Sequence, residues 1–295
     1  MERVIFHCDL NCFYASVELL SRPDLREVPT AVCGDPASRH GIILAKNEPA
    51  KRCGVKTAET IWQAKKKCPN LVLLPAHRRL YHEYSKKVNA IYDEYTDLAE
   101  SFGIDESWLD VTHTLHLFGG DAKALADTIR QRVKRELGLT LSVGVSFNKV
   151  FAKLGSDYKK PDATTVISRE KWRDIVWPLP VGDLLYVGGA AKKLLKPYGV
   201  ETIGQLAACR PDTLFPPTEV ILFHNLPIID WISPLLSIIR KCIRRASCYI
   251  HRMKRFIQLI LSGICPHICT VQCYINRNIS YNLYSFAICI FLQRI

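Results

Sequence analysis

Three features of the chain predict an α+β fold built on a β-α-β-β-α-β core. Residues 3–8 are mostly apolar, as in a strand buried on both faces, and end on the acid Asp9. Residues 100–104 and 108–112 read as a hairpin whose turn holds Asp105 and Glu106. Asp121 and Gly138 bracket a helix with Leu125, Ile129, Val133 and Leu137 on one face, and a strand over 141–146 follows it. With residues 11–77 set aside as an insertion, this order is ferredoxin-like. In such a sheet the first strand lies beside the hairpin, which brings Asp9 and Asp105 together across 96 residues of sequence.

The elements follow in order. Asn11 is placed to cap a helix bearing Phe13, Val17 and Leu20. Short strands are predicted over 30–33 and 41–45. Asn47 to Gly54 reads as a complete short helix, with an Asn cap, Pro49 in the first turn and Gly as the stop. Another helix ends before Pro69, and a strand covers 71–74. Leu80, Tyr84, Val88, Ile91 and Tyr95 then recur at helical spacing. Residues 183–207 read as small helices joined by Gly turns.

The net charge of +12 favours a polyanionic partner, nucleic acid before membrane. Residues 1–214 hold 31 Lys/Arg against 26 Asp/Glu, whereas residues 215–295 hold 9 against 2. Much of the basic excess therefore sits in the last stretch, and the case for nucleic acid rests on motifs. Met1-Glu2-Arg3 runs straight into the first strand, so no secretory leader is expected. Cys8, Cys12, Cys33, Cys53, Cys68 and Cys209 are read as reduced core residues of a cytoplasmic protein.

Three carboxylates presented from strand ends suit a pair of hard divalent cations, which take oxygen ligands and stabilise attacking and leaving oxygens in phosphoryl transfer. The words around them are Asp9-Leu10-Asn11-Cys12-Phe13-Tyr14-Ala15-Ser16-Val17-Glu18 and Ile104-Asp105-Glu106. From residue 1 to about 214 the chain closely resembles the Y-family DNA polymerases of the polymerase IV type. The resemblance implies that Asp9 and Asp105 bridge two Mg²⁺ ions, that the Leu10 carbonyl contributes, and that Glu106 completes the catalytic-metal site. Asp110 is read as structural.

By the same resemblance, Tyr14 lies under the incoming sugar and excludes a 2′-hydroxyl, with Phe13 packed beside it. Lys51 and Arg52 are placed to meet the triphosphate. The run departs from the family there: Ala45 lacks a hydroxyl, Glu48 replaces a phenol, and Lys51 gives a point charge for the bidentate fork of Arg. Lys160, in Asp157-Tyr158-Lys159-Lys160-Pro161, matches the family's Asp-x-x-Lys-Pro and is expected to reach the phosphates. Gly119-Gly120-Asp121 has the look of a cyclase signature, but no Glu-Phe follows, and it reads as a helix start. Asp35-Pro36 reads as a turn.

Gly188, Gly189, Lys192 and Lys193 resemble a helix–hairpin–helix module that meets DNA phosphates without reading sequence. After Leu214 the character changes. The last 81 residues hold one glycine, six cysteines and seventeen isoleucines, with little amphipathic period. They are read as an out-of-frame or replaced tail, poorly ordered or prone to aggregate, where the family has a little finger domain. Residues 256–275 carry no charge but are interrupted by Gln258, Pro266, His267 and Gln272, and no membrane span is expected. Cys265, His267, Cys269 and Cys273 do not fit zinc or iron–sulfur spacing. Gln258-Leu259-Ile260-Leu261 lacks the terminal aromatic of a peptide that binds the family's sliding clamp.

The expected organisation is palm strand 1–10, fingers 11–77, palm 78–168, partial thumb 169–214 and atypical tail 215–295. The expected activity is template-directed transfer from a dNTP to a primer 3′-OH on primer–template DNA, by a monomer, in the translesion style. The alternative is an inactive or distributive remnant that keeps nucleotide and weak DNA binding. A nucleotidyl cyclase would explain the carboxylates but not the Lys160 word.

Overall fold

A computed structural model describes residues 2–36 and 41–209. The chain divides into two compact units, Met1–Val176 and Trp177–Ile295. The expectations for residues 215–295, including the uncharged stretch, the cysteine cluster and the clamp-like peptide, lie outside the described residues. Among the described residues no helix is long and apolar enough to cross a membrane.

The described residues of the first unit form eight strands, β1 (Ile5–Leu10), β2 (Thr30–Cys33), β3 (Ile43–Lys46), β4 (Val72–Pro75), β5 (Ala99–Ser101), β6 (Glu106–Asp110), β7 (Leu141–Ser146) and β8 (Thr164–Ile167). Its helices are α1 (Phe13–Glu18), α2 (Glu48–Arg52), α3 (Ile61–Lys67), α4 (Arg78–Asp93), α5 (Ala122–Leu137), α6 (Lys149–Tyr158) and α7 (Trp172–Val176). The main sheet runs β5-β6-β1-β7-β8. Each of its first four strands is antiparallel to its neighbour, in the ferredoxin-like order, with β1 beside the hairpin as expected. Strand β8, which periodicity did not reveal, adds parallel to β7.

All six residues of β1 are buried, because α4 and α5 lie against the sheet and α6 packs on β1 and β7. The shared core gathers Phe6, Leu109, Ile129, Val133, Leu141 and Val143. Burying each large apolar side chain contributes about 1.5–3 kcal/mol. Helix α6 comes unusually close to β7. A Cβ on Gly144 would lie 1.8 Å from the Ala152 carbonyl oxygen and 2.4 Å from the Ser156 nitrogen. Two glycines thus meet, since a Cβ on Gly155 would stand 3.0 Å from the Gly144 Cα.

The inserted segment makes its own small sheet, β3-β2-β4, over a separate core of Ala31, Ile43, Val55, Ile61 and Leu71. Helix α2 has the expected caps: the Asn47 side chain accepts from the Ala50 N–H at 3.0 Å, and Gly54 follows at φ 80°. Helix α5 likewise starts on Asp121 and stops on Gly138 at φ 67°. The Gly119-Gly120-Asp121 run is therefore a helix entry.

Several details differ from expectation. Asn11 does not cap α1. Cys12 takes the cap position in a left-handed conformation (φ 50°), and the buried Asn11 amide joins the Thr140 and Ser142 side chains instead. Helix α1 stops at Glu18, short of Leu20. The hairpin register is also shifted, so Glu106 opens β6 and only Asp105 remains in the turn. The buried face of α4 runs through Tyr81, Val88, Ile91 and Tyr92, with the expected Leu80 and Tyr84 half-buried against the same core. Cys8, Cys33 and Cys68 are buried free thiols, but Cys53 is exposed at the end of α2, where no core lies over it.

The second unit, over its described residues, contains α8 (Gly189–Leu195) and α9 (Ile203–Ala208), joined through a short 3₁₀ turn and Gly199 at φ 68°. Thr202 caps α9 in a reciprocal box with Gln205. The small helices and Gly turns are those the sequence predicts.

Candidate functional site

Strand pairing builds the site. Asp9 lies opposite Glu106 in the β1–β6 register, and the Leu10 N–H donates to the Asp105 carbonyl at 3.0 Å. The end of β1 and the start of β6 therefore present Asp9, Asp105 and Glu106 to one cleft of about 450 Å³. Leu10, Phe13, Tyr14, Lys51 and Lys160 line the same cleft. Of the metal- and nucleotide-site residues expected in this unit, Arg52 does not line it; it stands exposed on α2. Gly188, Gly189, Lys192 and Lys193 are exposed at α8 in the second unit.

Electrostatics in the cleft are strongly coupled. Burial, together with the charges of Asp9 and Glu106, pushes the Asp105 carboxyl up to about 6. Burial alone would raise Glu106 too, but His7 and Lys153 beside it prevail and hold it at about 2. Lys153, from α6, reaches Asp9 Oδ2 at 2.9 Å, Glu106 Oε2 at 3.1 Å and Asp157 at 3.4 Å. Lys160 contacts the same Asp9 oxygen at 2.6 Å and Asp157 at 2.7 Å. Burial opposes the charge on both lysines, yet the surrounding acids keep their affinity for protons above the ordinary value.

Tyr14 projects from α1 and stacks on Tyr81, with ring centroids 4.2 Å apart and planes at 12°. The Tyr81 hydroxyl in turn donates to the buried Glu18, which His77 also contacts at 3.0 Å. Glu48, at the position of departure, pairs with Lys51 at 3.4 Å and accepts from the Cys12 thiol at 3.5 Å. Asp110 takes no place in the cleft; it binds Arg3 at 2.8 Å and the Thr112 N–H at 3.1 Å.

Sequence reasoning missed Lys153, Asp157, His7, Lys46 and Thr57 as members of this neighbourhood. The i, i+4 spacing of Lys153 and Asp157 after the Asn148 cap was a usable signal. His7 gave none, because an apolar strand hides which buried side chain faces an acid.

The impB/mucB/samB family model matches residues 8–157. The chain belongs to this family, the Y family of DNA polymerases. Among Y-family relatives, DNA polymerase IV of Acetivibrio thermocellus is 58% identical over 214 residues, covering 72% of this chain and 53% of that protein. DNA polymerase IV 1 of Bacillus subtilis is 42% identical, covering 72% and 51%. The crystal structure of DinB from Sulfolobus solfataricus superposes with a TM-score of 0.67 at 25% identity, covering 73% of this chain and 63% of that one. The chain spans about half the length of the curated Y-family relatives it matches.

Proposed function

We propose that this chain carries the nucleotidyl-transfer site of a template-directed DNA polymerase of the translesion type. The observation that carries the proposal is the convergence of Asp9, Asp105 and Glu106 in one cleft with Tyr14 and Lys160. An all-oxygen donor set of three carboxylates fits hard divalent cations. The elevation of Asp105 fits as well: burial raises it first and the charges of Asp9 and Glu106 second, and a bound cation offsets both. Asp9, Asp105, Glu106 and the Leu10 carbonyl would hold two Mg²⁺. Bound there, they would supply charge stabilisation to the reacting phosphoryl group and to the attacking and leaving oxygens.

The remaining roles belong to this chain's side chains. Lys160 and Lys51 receive the triphosphate, and Arg52 adds positive charge from outside the cleft. Phe13 and Tyr14 form the floor beneath the sugar, and Tyr14 excludes a 2′-hydroxyl. Positioning and electrostatics carry catalysis without a covalent intermediate. The helices around Gly188, Gly189, Lys192 and Lys193 contact the DNA backbone. The partners are primer–template DNA and a dNTP, the protein acts as a cytoplasmic monomer, and clamp contact is not assigned to it.

A second reading is favoured by one observation, the pairing of Lys51 with Glu48 at 3.4 Å, which offsets a charge meant for the triphosphate. It is a distributive or inactive remnant that binds nucleotide and, weakly, DNA. Primer extension with matched dNTP, run beside Asp105→Ala, tests the first reading. Extension by the parent chain and none by the variant supports it; equal extension by both overturns it, and none by either leaves the remnant.

A further inference from the structure

His7 is fully buried in β1 between its apolar neighbours, and the roles above leave it unused. Its two ring nitrogens face different partners. Nδ1 lies 2.8 Å from Ser156 Oγ, while Nε2 lies 3.3 Å from Glu106 Oε2. Both Nε2 and Oε2 are buried and make no hydrogen bond to each other at the present angle, while Oε2 also has the Lys153 ammonium at 3.1 Å. A buried donor facing a buried acceptor across 3.3 Å is an unfinished bond, of the kind that tightens when a site fills.

The tautomer follows from Glu106. The Ser156 hydroxyl donates to the Lys153 carbonyl at 2.8 Å and lies equally far from Nδ1, so a rotation about its C–O bond turns the same hydrogen to Nδ1. A neutral imidazole has one donor and one acceptor, so the ring proton then sits on Nε2 and points at Glu106. The opposite tautomer would set a lone pair against a carboxylate in a dry wall. Trp108 fixes the ring from the side, edge-on at 5.1 Å, and is itself held by its Nε1–H donating to the Lys149 carbonyl at 3.1 Å.

We infer that His7 is a positioning residue: its Nε2–H takes one oxygen of Glu106 and turns the other toward the cation, with the Ser156 hydroxyl turned to Nδ1. The inference rests on the two-metal reading of the cleft. Outer partners of ligating carboxylates typically change metal affinity by about 10–100-fold when removed.

The test is Mn²⁺ titration of the full chain followed by electron paramagnetic resonance, on the parent protein, His7→Leu, His7→Gln and Ser156→Ala. Binding by His7→Leu should weaken about tenfold or more, and His7→Gln, whose amide N–H can replace Nε2–H, should recover most of it. Ser156→Ala should fall between. In primer extension His7→Leu should need more Mg²⁺ while its KM for dNTP at saturating Mg²⁺ stays put. Equal Mn²⁺ affinity in His7→Leu and the parent overturns the role of His7 and leaves the two-metal reading standing. No Mn²⁺ binding by the parent overturns both. Should His7→Leu fail to fold, ¹⁵N spectra of the parent's histidine ring decide: a proton on Nε2 supports the inference, and one on Nδ1 refutes it.

Discussion

At Asp105 a carboxyl group is held out of water between two other acids, and a pH dependence follows. Its folded value of about 6 lies above the ordinary 3.8. The protonated form thus favours folding below pH 4, and this contribution is lost as pH rises through 6. Glu106, held at about 2, acts oppositely: its contribution is present above about 4.5 and lost as pH falls through 2. Asp105→Asn should therefore melt about 2–4 °C higher than the parent at pH 8 without divalent cations, and no higher at pH 4. Thermal melts at the two pH values check this, and a higher melting temperature at pH 4 alone would refute it. Asp105→Ala should also abolish nucleotidyl transfer. At Tyr14, replacement by Ala should raise ribonucleotide incorporation while dNTP use survives better. Matched ribo- and deoxynucleotide rates decide, and unchanged discrimination would make Tyr14 a packing residue only. Asp9 and Asp105 were legible because each ends a recognisable strand. Lys153 was legible only as one half of an i, i+4 pair, because its reach to Asp9 is fixed by how α6 lies on the sheet.

Helix α2 shows what an element's sequence can announce. Its cap, proline and stop are all local, and all three are found where the spacing puts them. The same Asn47 does more than the spacing reveals. Its buried amide also accepts from the Thr30 N–H at 3.0 Å and donates to the Val28 carbonyl at 2.7 Å, tying α2 to the start of β2. Asn47→Ala should then cost about 2–3 kcal/mol, above the roughly 1 kcal/mol of an ordinary cap, because it strands buried partners. Urea melts measure this, and a loss under about 1 kcal/mol would reduce Asn47 to a simple cap. Strand β8 escaped the sequence for the converse reason. It is only four residues long, and its place is set by pairing with β7. The Asn11 cap failed because Ser142 and Thr140, distant in sequence, compete for the same amide.

For the molecule as a whole, the expectation for DNA rests on the cations described on the second unit. A duplex must be gripped over many phosphates, and among the described residues of the second unit Lys192, Lys193 and their neighbours offer few contacts. Affinity should be weak and should fall with salt at a shallow slope, since each phosphate neutralised adds about 0.9 to it. The chain should add one or a few nucleotides per encounter. Primer extension with an unlabelled DNA trap reads this, and long products in one encounter would contradict it. The meeting of Gly144 and Gly155 bears on how this molecule tolerates change. The space where a Cβ would go at Gly144 is filled by backbone atoms, which no rotamer change moves aside. A survey of all single substitutions scored for soluble abundance should find Gly144 closed to every alternative, alanine included. Lys51 and Arg52, though nearer the chemistry in role, should accept many. Heritable variation in such a chain is thus filtered first by a joint between backbones, and only afterwards by the charges that line the cleft.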